Sequence, residues 1–202
     1  MSKNLSVALS PATPGAAVLR RLRAPGIVIA GSVFVAACAH ISLPLFFTPV
    51  PLTLQDFAVL VLGLLLPPSL AAATMGAYLV EGAIGLPVFA PGPHLAAGPA
   101  HLFGPTGGYL LAYVVAAPLI SIFFRRGRCG FAAALVSAAI GDLLILSCGA
   151  MWFTILTHAS AQFVLAQTVL PFLPGSALKV AGAAGIAVGR LRLRRTGESQ
   201  PN

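Results

Sequence analysis

Charge is scarce in this chain. Of its 202 residues only 8% are Asp, Glu, Lys or Arg, and just four of those are acidic. Soluble domains carry roughly 25% charged residues. Too few charges remain to cover a water-facing surface of this size, which excludes an ordinary cytosolic enzyme. A disordered chain would need the opposite composition. Cysteine is also sparse and unpaired. Cys38, Cys129 and Cys148 form no CxxC, so they read as small buried apolar side chains and not as a disulfide frame or metal site. The histidines, His40, His94, His101 and His158, match no metal-ligand spacing and read as hydrogen-bonding groups at a membrane interface. No GxxxxGKS or GxxxxGKT occurs, so the chain has no P-loop, and any ATP-driven step belongs to a partner. Ser147 and His158 resemble a protease dyad but lack a surrounding nucleophile motif, which sets an intramembrane hydrolase aside.

What the chain has instead is apolar length. Hydrophobic residues make up 58% and the mean hydropathy is +0.95. That composition belongs to an integral membrane protein built as one bundle. The net charge of +8 and the pI near 10.5 can suggest nucleic acid, but the positions of the basic residues point elsewhere. Lys3, Arg20, Arg21 and Arg23 precede the first apolar run. Arg125, Arg126 and Arg128 share one short break, and Arg190, Arg192, Arg194 and Arg195 follow the last run. Basic clusters at the ends of apolar spans follow the positive-inside rule. No basic face with interleaved aromatics exists, so no nucleic acid is expected.

A bilayer core needs about 20 apolar residues per helix. Six candidates follow: Pro25–Leu43, a short one at Thr53–Leu66, then Ser69–Gly85, Gly107–Phe124, Gly130–Phe153 and Pro174–Gly189. The breaks alternate between basic or very short ones and three without Lys or Arg, at Pro44–Leu52, Leu86–Thr106 and Thr154–Leu173. This alternation predicts an all-α bundle of six transmembrane helices with both termini cytoplasmic. It divides the chain into a tail at 1–24, a membrane domain at 25–190 and a basic tail at 191–202. The run ending Val35-Ala36-Ala37-Cys38 resembles a lipoprotein signal, but the preceding polar region is long. Cleavage would also leave five helices starting outside.

The uncharged breaks are rich in Pro, Gly and aromatics, above all Gly82–Gly108. Irregular backbone near a membrane persists where it is buried in protein or lines a cavity. A lid over a pocket suits that apolar content better than a re-entrant segment or a plain interfacial loop. Ionisable groups inside a membrane are costly and usually functional. Asp56, Glu81 and Lys179 are expected at one depth below the outer loops, with Asp142 nearer mid-membrane. Mutual pairing for structure is the alternative role for all four. On the first helix, Ser32, Ala36 and Ala39 form a small-residue face that suits either a partner helix or internal packing.

Four segments carry a family resemblance. Pro49-Val50-Pro51-Leu52-Thr53-Leu54-Gln55 is similar to the PVP(I/L)TLQ signature of BioY proteins. Gly82-Ala83-Ile84-Gly85-Leu86-Pro87-Val88-Phe89 resembles their GAxGLPVF segment, and Gly104-Pro105-Thr106-Gly107-Gly108-Tyr109-Leu110 their GPTGGYL segment. Pro171-Phe172-Leu173-Pro174-Gly175, followed by Lys179, resembles their PFxPGDxxK ending. The four occur in the family's order, and the resemblance covers about residues 26 to 190. The resemblance implies a six-helix biotin-binding S-component of an energy-coupling factor transporter, in a bacterial cell membrane. Its partners would be biotin, the lipid bilayer, a transmembrane T-component and two ATP-binding-cassette ATPases. It implies no catalysis and no cofactor or metal. An S-component for another small vitamin, or a stand-alone carrier cycling a proton on Glu81 or Asp142, is the alternative.

The substrate set expected on this basis is Thr53, Gln55, Asp56, Glu81, Phe89, Tyr109, Trp152, Ser176 and Lys179. Phe89, Leu86, Tyr109 and Trp152 would form apolar walls. Lys179 would pair with the biotin carboxylate, with Asp56 or Glu81 as its alternative partner. Ser176 stands where the family pattern has Asp, and a serine accepts from the ureido N–H groups more weakly than a carboxylate. Asp56 or Glu81 could supply the missing acceptor.

Overall fold

The computed structural model describes residues 14–91, 98–127 and 130–198, so Lys3, His94, Arg128 and Cys129 lie outside the described residues. Among the described residues seven α-helices occur in the order α1 (Pro14–His40), α2 (Gln55–Leu65), α3 (Pro68–Ala83), α4 (Gly107–Arg126), α5 (Phe131–Thr157), α6 (Ala161–Thr168) and α7 (Leu173–Glu198). A short 3-10 helix, Gly98–Phe103, precedes α4. Two short strands, β1 (Ser42–Leu43) and β2 (Leu52–Thr53), pair antiparallel with Ser42 opposite Thr53.

The helix limits follow local chemistry. The first apolar run reads as helical to Leu43, but α1 stops at His40 because Ser42 and Leu43 pair with β2. That clip closes the proline-rich 44–51 loop, whose prolines cannot continue a helix. At its other end α1 starts at Pro14, so the helix crosses the expected boundary at residue 24. Pro67-Pro68 separates α2 from α3, with proline at the first helical position of α3. The connection expected at 154–173 is partly helical. α5 continues to Thr157 and ends at His158, which takes the left-handed conformation at φ 52°. Ser160 then caps α6 by accepting the Phe163 N–H at 3.4 Å.

Among the described residues three helices, α1, α4 and α5, are long and apolar enough to cross a membrane. A fourth span results if α6 and α7, bent by 48°, are taken as one. α2 has 11 residues, or about 16 Å of helix. The outside of the bundle is apolar on several helices. Ile29 and Val33 on α1, Leu143 and Met151 on α5, and Leu178 on α7 are each 59–77% exposed. A surface of that kind is suited to lipid and not to water.

Inside, α4 is central and packs on α5, α3 and α2. α7 packs on α5 and α2, while α1 lies on α3 and α2. One apolar cluster holds Val59, Met75, Tyr78, Tyr109, Tyr113 and Ile145. A second holds Leu60, Ile120, Ala134, Ala138, Ala183 and Ala187, whose small side chains let α5 and α7 approach closely. At the α4–α5 crossing the space a side chain would take at Gly108 is filled by Trp152 and the Cys148 carbonyl. At Gly149 it is filled by the Tyr109 ring.

Candidate binding site

The hairpin clip delivers the chain directly into α2, and the 3-10 helix delivers it into α4. The first turns of these two helices face one cavity, with about 440 Å³ of empty space including its mouth. Thr53, Gln55 and Asp56 come from the start of α2. Thr106, Tyr109 and Tyr113 come from the start of α4. Val50, Leu110, Leu146 and Phe172 supply apolar wall, and Ala90 and His101 close it from the 82–103 side.

The polar floor is an ion pair. Lys179 Nζ lies 2.9 Å from Asp56 Oδ2. The Tyr113 hydroxyl donates to Asp56 Oδ1 at 2.6 Å. Lys179 is buried on α7. One turn before it stands buried Ser176, and buried Asp142 of α5 lies near Ser176, Asp56 and Lys179. Two carboxylates and one ammonium therefore share the layer beneath the cavity.

The cover is built from aromatic contacts. Phe89 stands edge-on to Tyr78 with ring centroids 5.5 Å apart, and tilts against His101 at 4.9 Å. Its ring occupies the space a side chain at Gly82 would need. The Tyr78 hydroxyl donates to the Val88 carbonyl at 3.0 Å, and Trp152 Nε1 donates to the Gly104 carbonyl at 2.9 Å. The far wall is tied as well. Tyr109 donates to the Thr168 carbonyl at 2.7 Å, and Thr48 to the Gln167 carbonyl at 2.8 Å. The end of α6 thus holds both α4 and the 44–51 loop.

Two cavity-lining groups are unmatched. Among the described residues, Gln55 Nε2 and Thr106 Oγ1 are buried and have no hydrogen-bond partner. A buried polar group left in this way costs about 1–3 kcal/mol. Such a cost is tolerated where a ligand supplies the partner. No cluster of three or more His, Cys, Asp or Glu that could hold a metal occurs among the described residues.

The model of the BioY family matches residues 10–196. The chain belongs to the BioY family. The probable biotin transporter BioY of Pyrococcus horikoshii is 38% identical over 139 residues, 69% of this chain and 79% of the relative. The biotin transporter BioY of Thermotoga maritima is 32% identical over 177 residues, 88% of this chain and 97% of the relative. The crystal structure of an S-component for biotin from an ECF-type ABC transporter superposes with a TM-score of 0.77. It is 26% identical and matches 87% of this chain and 93% of that one.

Within this BioY chain the expected site residues separate into groups. Thr53, Gln55, Asp56 and Tyr109 meet around the cavity. Lys179 stands behind Asp56, and Ser176 lies near Asp142. Phe89 belongs to the cover and Trp152 anchors it, while Leu86 is 48% exposed. Glu81 does not join Asp56 and Lys179. It accepts the Ser32 hydroxyl at 2.7 Å across the α1–α3 contact. On the same helix Ser32 and Ala39 are fully buried and Ala36 packs on the core, as the internal-packing alternative expects. The outward face of α1 carries Ile29, Val33 and Phe34.

Tyr113, Thr106, Phe172 and His101 were not in the expected site set. Three of them had a signal. Tyr113 follows Tyr109 by one helical turn. Thr106 and Phe172 lie inside the GPTGGYL-like and PFxPG-like segments. His101, read as interfacial, had none.

Proposed function

We propose that this chain binds biotin in the cavity between α2 and α4, and carries it across a cell membrane as the S-component of an energy-coupling factor transporter. The observation that carries this reading is an apolar cavity, in a BioY-family chain, with an Asp56–Tyr113 acceptor at its floor and two unmatched polar groups in its wall. Biotin has an apolar bicycle, an N–H-bearing ureido edge and a carboxylate tail. A carboxylate has more acceptor sites than Lys179 and Tyr113 occupy, so Asp56 can still accept from the ureido edge. Lys179 holds Asp56 in place.

The finer parts of the reading are six membrane crossings with both termini cytoplasmic, tails at 1–24 and 191–202, and partners comprising a T-component and two ATPases. The missing P-loop supports dependence on those ATPases. Binding and reorientation need no covalent chemistry on the substrate, so no enzymatic activity is assigned. The test is a thermal-shift series on the purified chain in detergent. Biotin is expected to raise the unfolding temperature, by a stabilisation that grows with the logarithm of ligand excess over Kd. A shift with another vitamin and none with biotin would reassign the substrate. Uptake into vesicles lacking the partner subunits, abolished by an uncoupler, would replace the S-component role with that of a proton-coupled carrier.

A further inference from the structure

We infer that a cleft between α2, α4 and α7, at the end of the bundle away from the cavity, holds an anionic phospholipid. Its phosphate would sit between Arg125 and Arg190, with an acyl chain against the apolar walls. The inference does not depend on what the cavity binds.

The cleft forms where α2 and α4 end against α7. Leu64 and Leu65 come from the last turn of α2, Phe124 and Arg125 from the last turn of α4, and Arg190 and Leu191 from α7. It encloses about 490 Å³ of empty space including its mouth. The two arginines are its only charged lining, and no acid lines it.

These charges have no counter-ion in the cleft. Of the four acids in the sequence, Asp56 is held by Lys179 and Glu81 by Ser32, and Asp142 lies in the layer of Asp56 and Lys179. The fourth, Glu198, is the last residue of α7, about two turns beyond Arg190. Among the described residues neither Arg125 nor Arg190 pairs with a carboxylate. Arg125 is also oriented in advance. Its Nε donates to Ser121 Oγ at 3.1 Å, and the Ser121 hydroxyl is fixed on the Leu66 carbonyl at 2.6 Å. The Nε edge is thus turned to the protein, and the two terminal nitrogens remain for a ligand. Guanidinium forks match the paired oxygens of a phosphate.

The surroundings favour a lipid over a free phosphate. Arg190 shares a helix face with Ile186, one turn before it, and Leu193, about one turn after it. Ile186 is 46% exposed and Leu193 75%. A cation between exposed apolar side chains stands where acyl chains meet headgroups, and basic pockets between membrane helices take anionic headgroups there. A free phosphate would gain nothing from walls of leucine and phenylalanine, whereas an acyl chain packs on them. Arginine near the C-terminus of α4 is also favourable to that helix by itself. That role needs no ligand, and the experiment separates the two.

Native mass spectrometry on the full chain in detergent counts bound lipid, with dioleoyl phosphatidylglycerol and dioleoyl phosphatidylcholine as probes that share their acyl chains. Phosphatidylglycerol is expected to be retained in preference to phosphatidylcholine. The double variant Arg125→Gln, Arg190→Gln should weaken it by about tenfold or more, as for loss of hydrogen bonds to a charged group. The double variant Arg23→Gln, Arg126→Gln removes the same charge outside the cleft and should leave retention nearly unchanged. Leu191→Asn, which keeps both arginines and spoils an apolar wall, should also weaken retention. Helical circular dichroism checks that each variant is folded. Glycerol 3-phosphate, which has the phosphate without the chains, should not displace the lipid at equal concentration. Four results would each overturn the assignment. Equal losses in the two double variants would reduce it to net charge, and no preference over phosphatidylcholine would remove the headgroup. Displacement by glycerol 3-phosphate would make the cleft a free-phosphate site. Full retention in Arg125→Gln, Arg190→Gln would leave the arginines to the helix ends or to a protein partner.

Discussion

Asp56 and Lys179 lie 123 positions apart in sequence and meet at 2.9 Å in the interior. Removing one member of a buried pair strands the other charge, at a typical cost of about 3–5 kcal/mol. Lys179→Met is therefore expected to destabilise the ligand-free protein toward the low end of that range, since the Asp56 side chain is 19% exposed. Asp56→Asn in the same chain removes the stranded charge and should recover most of the loss. Thermal unfolding in detergent reads both variants, and equal destabilisation of single and double variants would show that Asp56 is not the charge Lys179 compensates. The sequence pointed to these two residues because ionisable groups in apolar helices are rare enough to stand out. It could not choose between Asp56 and Glu81 as the partner, since both sit about a turn from a helix end. Packing made the choice, by turning Glu81 to Ser32 on α1. Thr106 and Tyr113 were less legible for a different reason. A hydroxyl carries no composition signal, and its role depends on what the fold brings near it.

Helices were legible where apolar runs were long. α4 starts at the expected Gly107 and α5 within one residue of the expected start. α6 was read as a connection because eight residues cannot cross a bilayer and carry little periodicity. The hairpin was hidden because two residues per strand show no alternation at all. The glycines of the GPTGGYL-like segment act at this scale. A methyl group at Gly108 would lie 2.6 Å from the Cys148 carbonyl oxygen and would also collide with Trp152. Helix backbone cannot yield as a flexible side chain can, so α4 and α5 must separate. Gly108→Ala is expected to cost about 1–3 kcal/mol, as overpacking does, and to weaken the hold of Trp152 on Gly104. Gly76→Ala in α3 is the control, because nothing lies within 4 Å of its added methyl. There the exchange should be neutral or stabilising by up to about 1 kcal/mol. A comparable loss of unfolding temperature in both variants would mean that Gly108 is not required by packing.

The helix directions give the whole molecule two unlike ends. α2 and α4 both begin at the cavity, and Phe172, just before α7, lines it too. At the other end Leu64 and Leu65 of α2, Phe124 and Arg125 of α4, and Arg190 and Leu191 of α7 line one cleft. Ser121 ties that end by donating to the Leu66 carbonyl at 2.6 Å, while Arg125 donates to Ser121 at 3.1 Å. α2, α4 and α7 therefore run in one direction, from cavity to basic end. α5 runs the opposite way, since Trp152, near its C-terminal end, bonds Gly104 beside the cavity. α1 likewise ends beside β1 at the cavity side. Arg125 and Arg190 thus belong to one end, which under the proposed topology is the cytoplasmic one. At about 16 Å, α2 is well below the roughly 30 Å of a bilayer core. It can complete a crossing only with the hairpin and the cover segment filling the outer layer above it. Reporter fusions at each terminus test this in cells, using a fluorescent protein that matures only inside and a phosphatase active only outside. Fluorescence and no phosphatase activity are expected from both termini. If the two termini report opposite sides, the number of crossings is odd, and α2 and α3 together would then fail to make two separate passes.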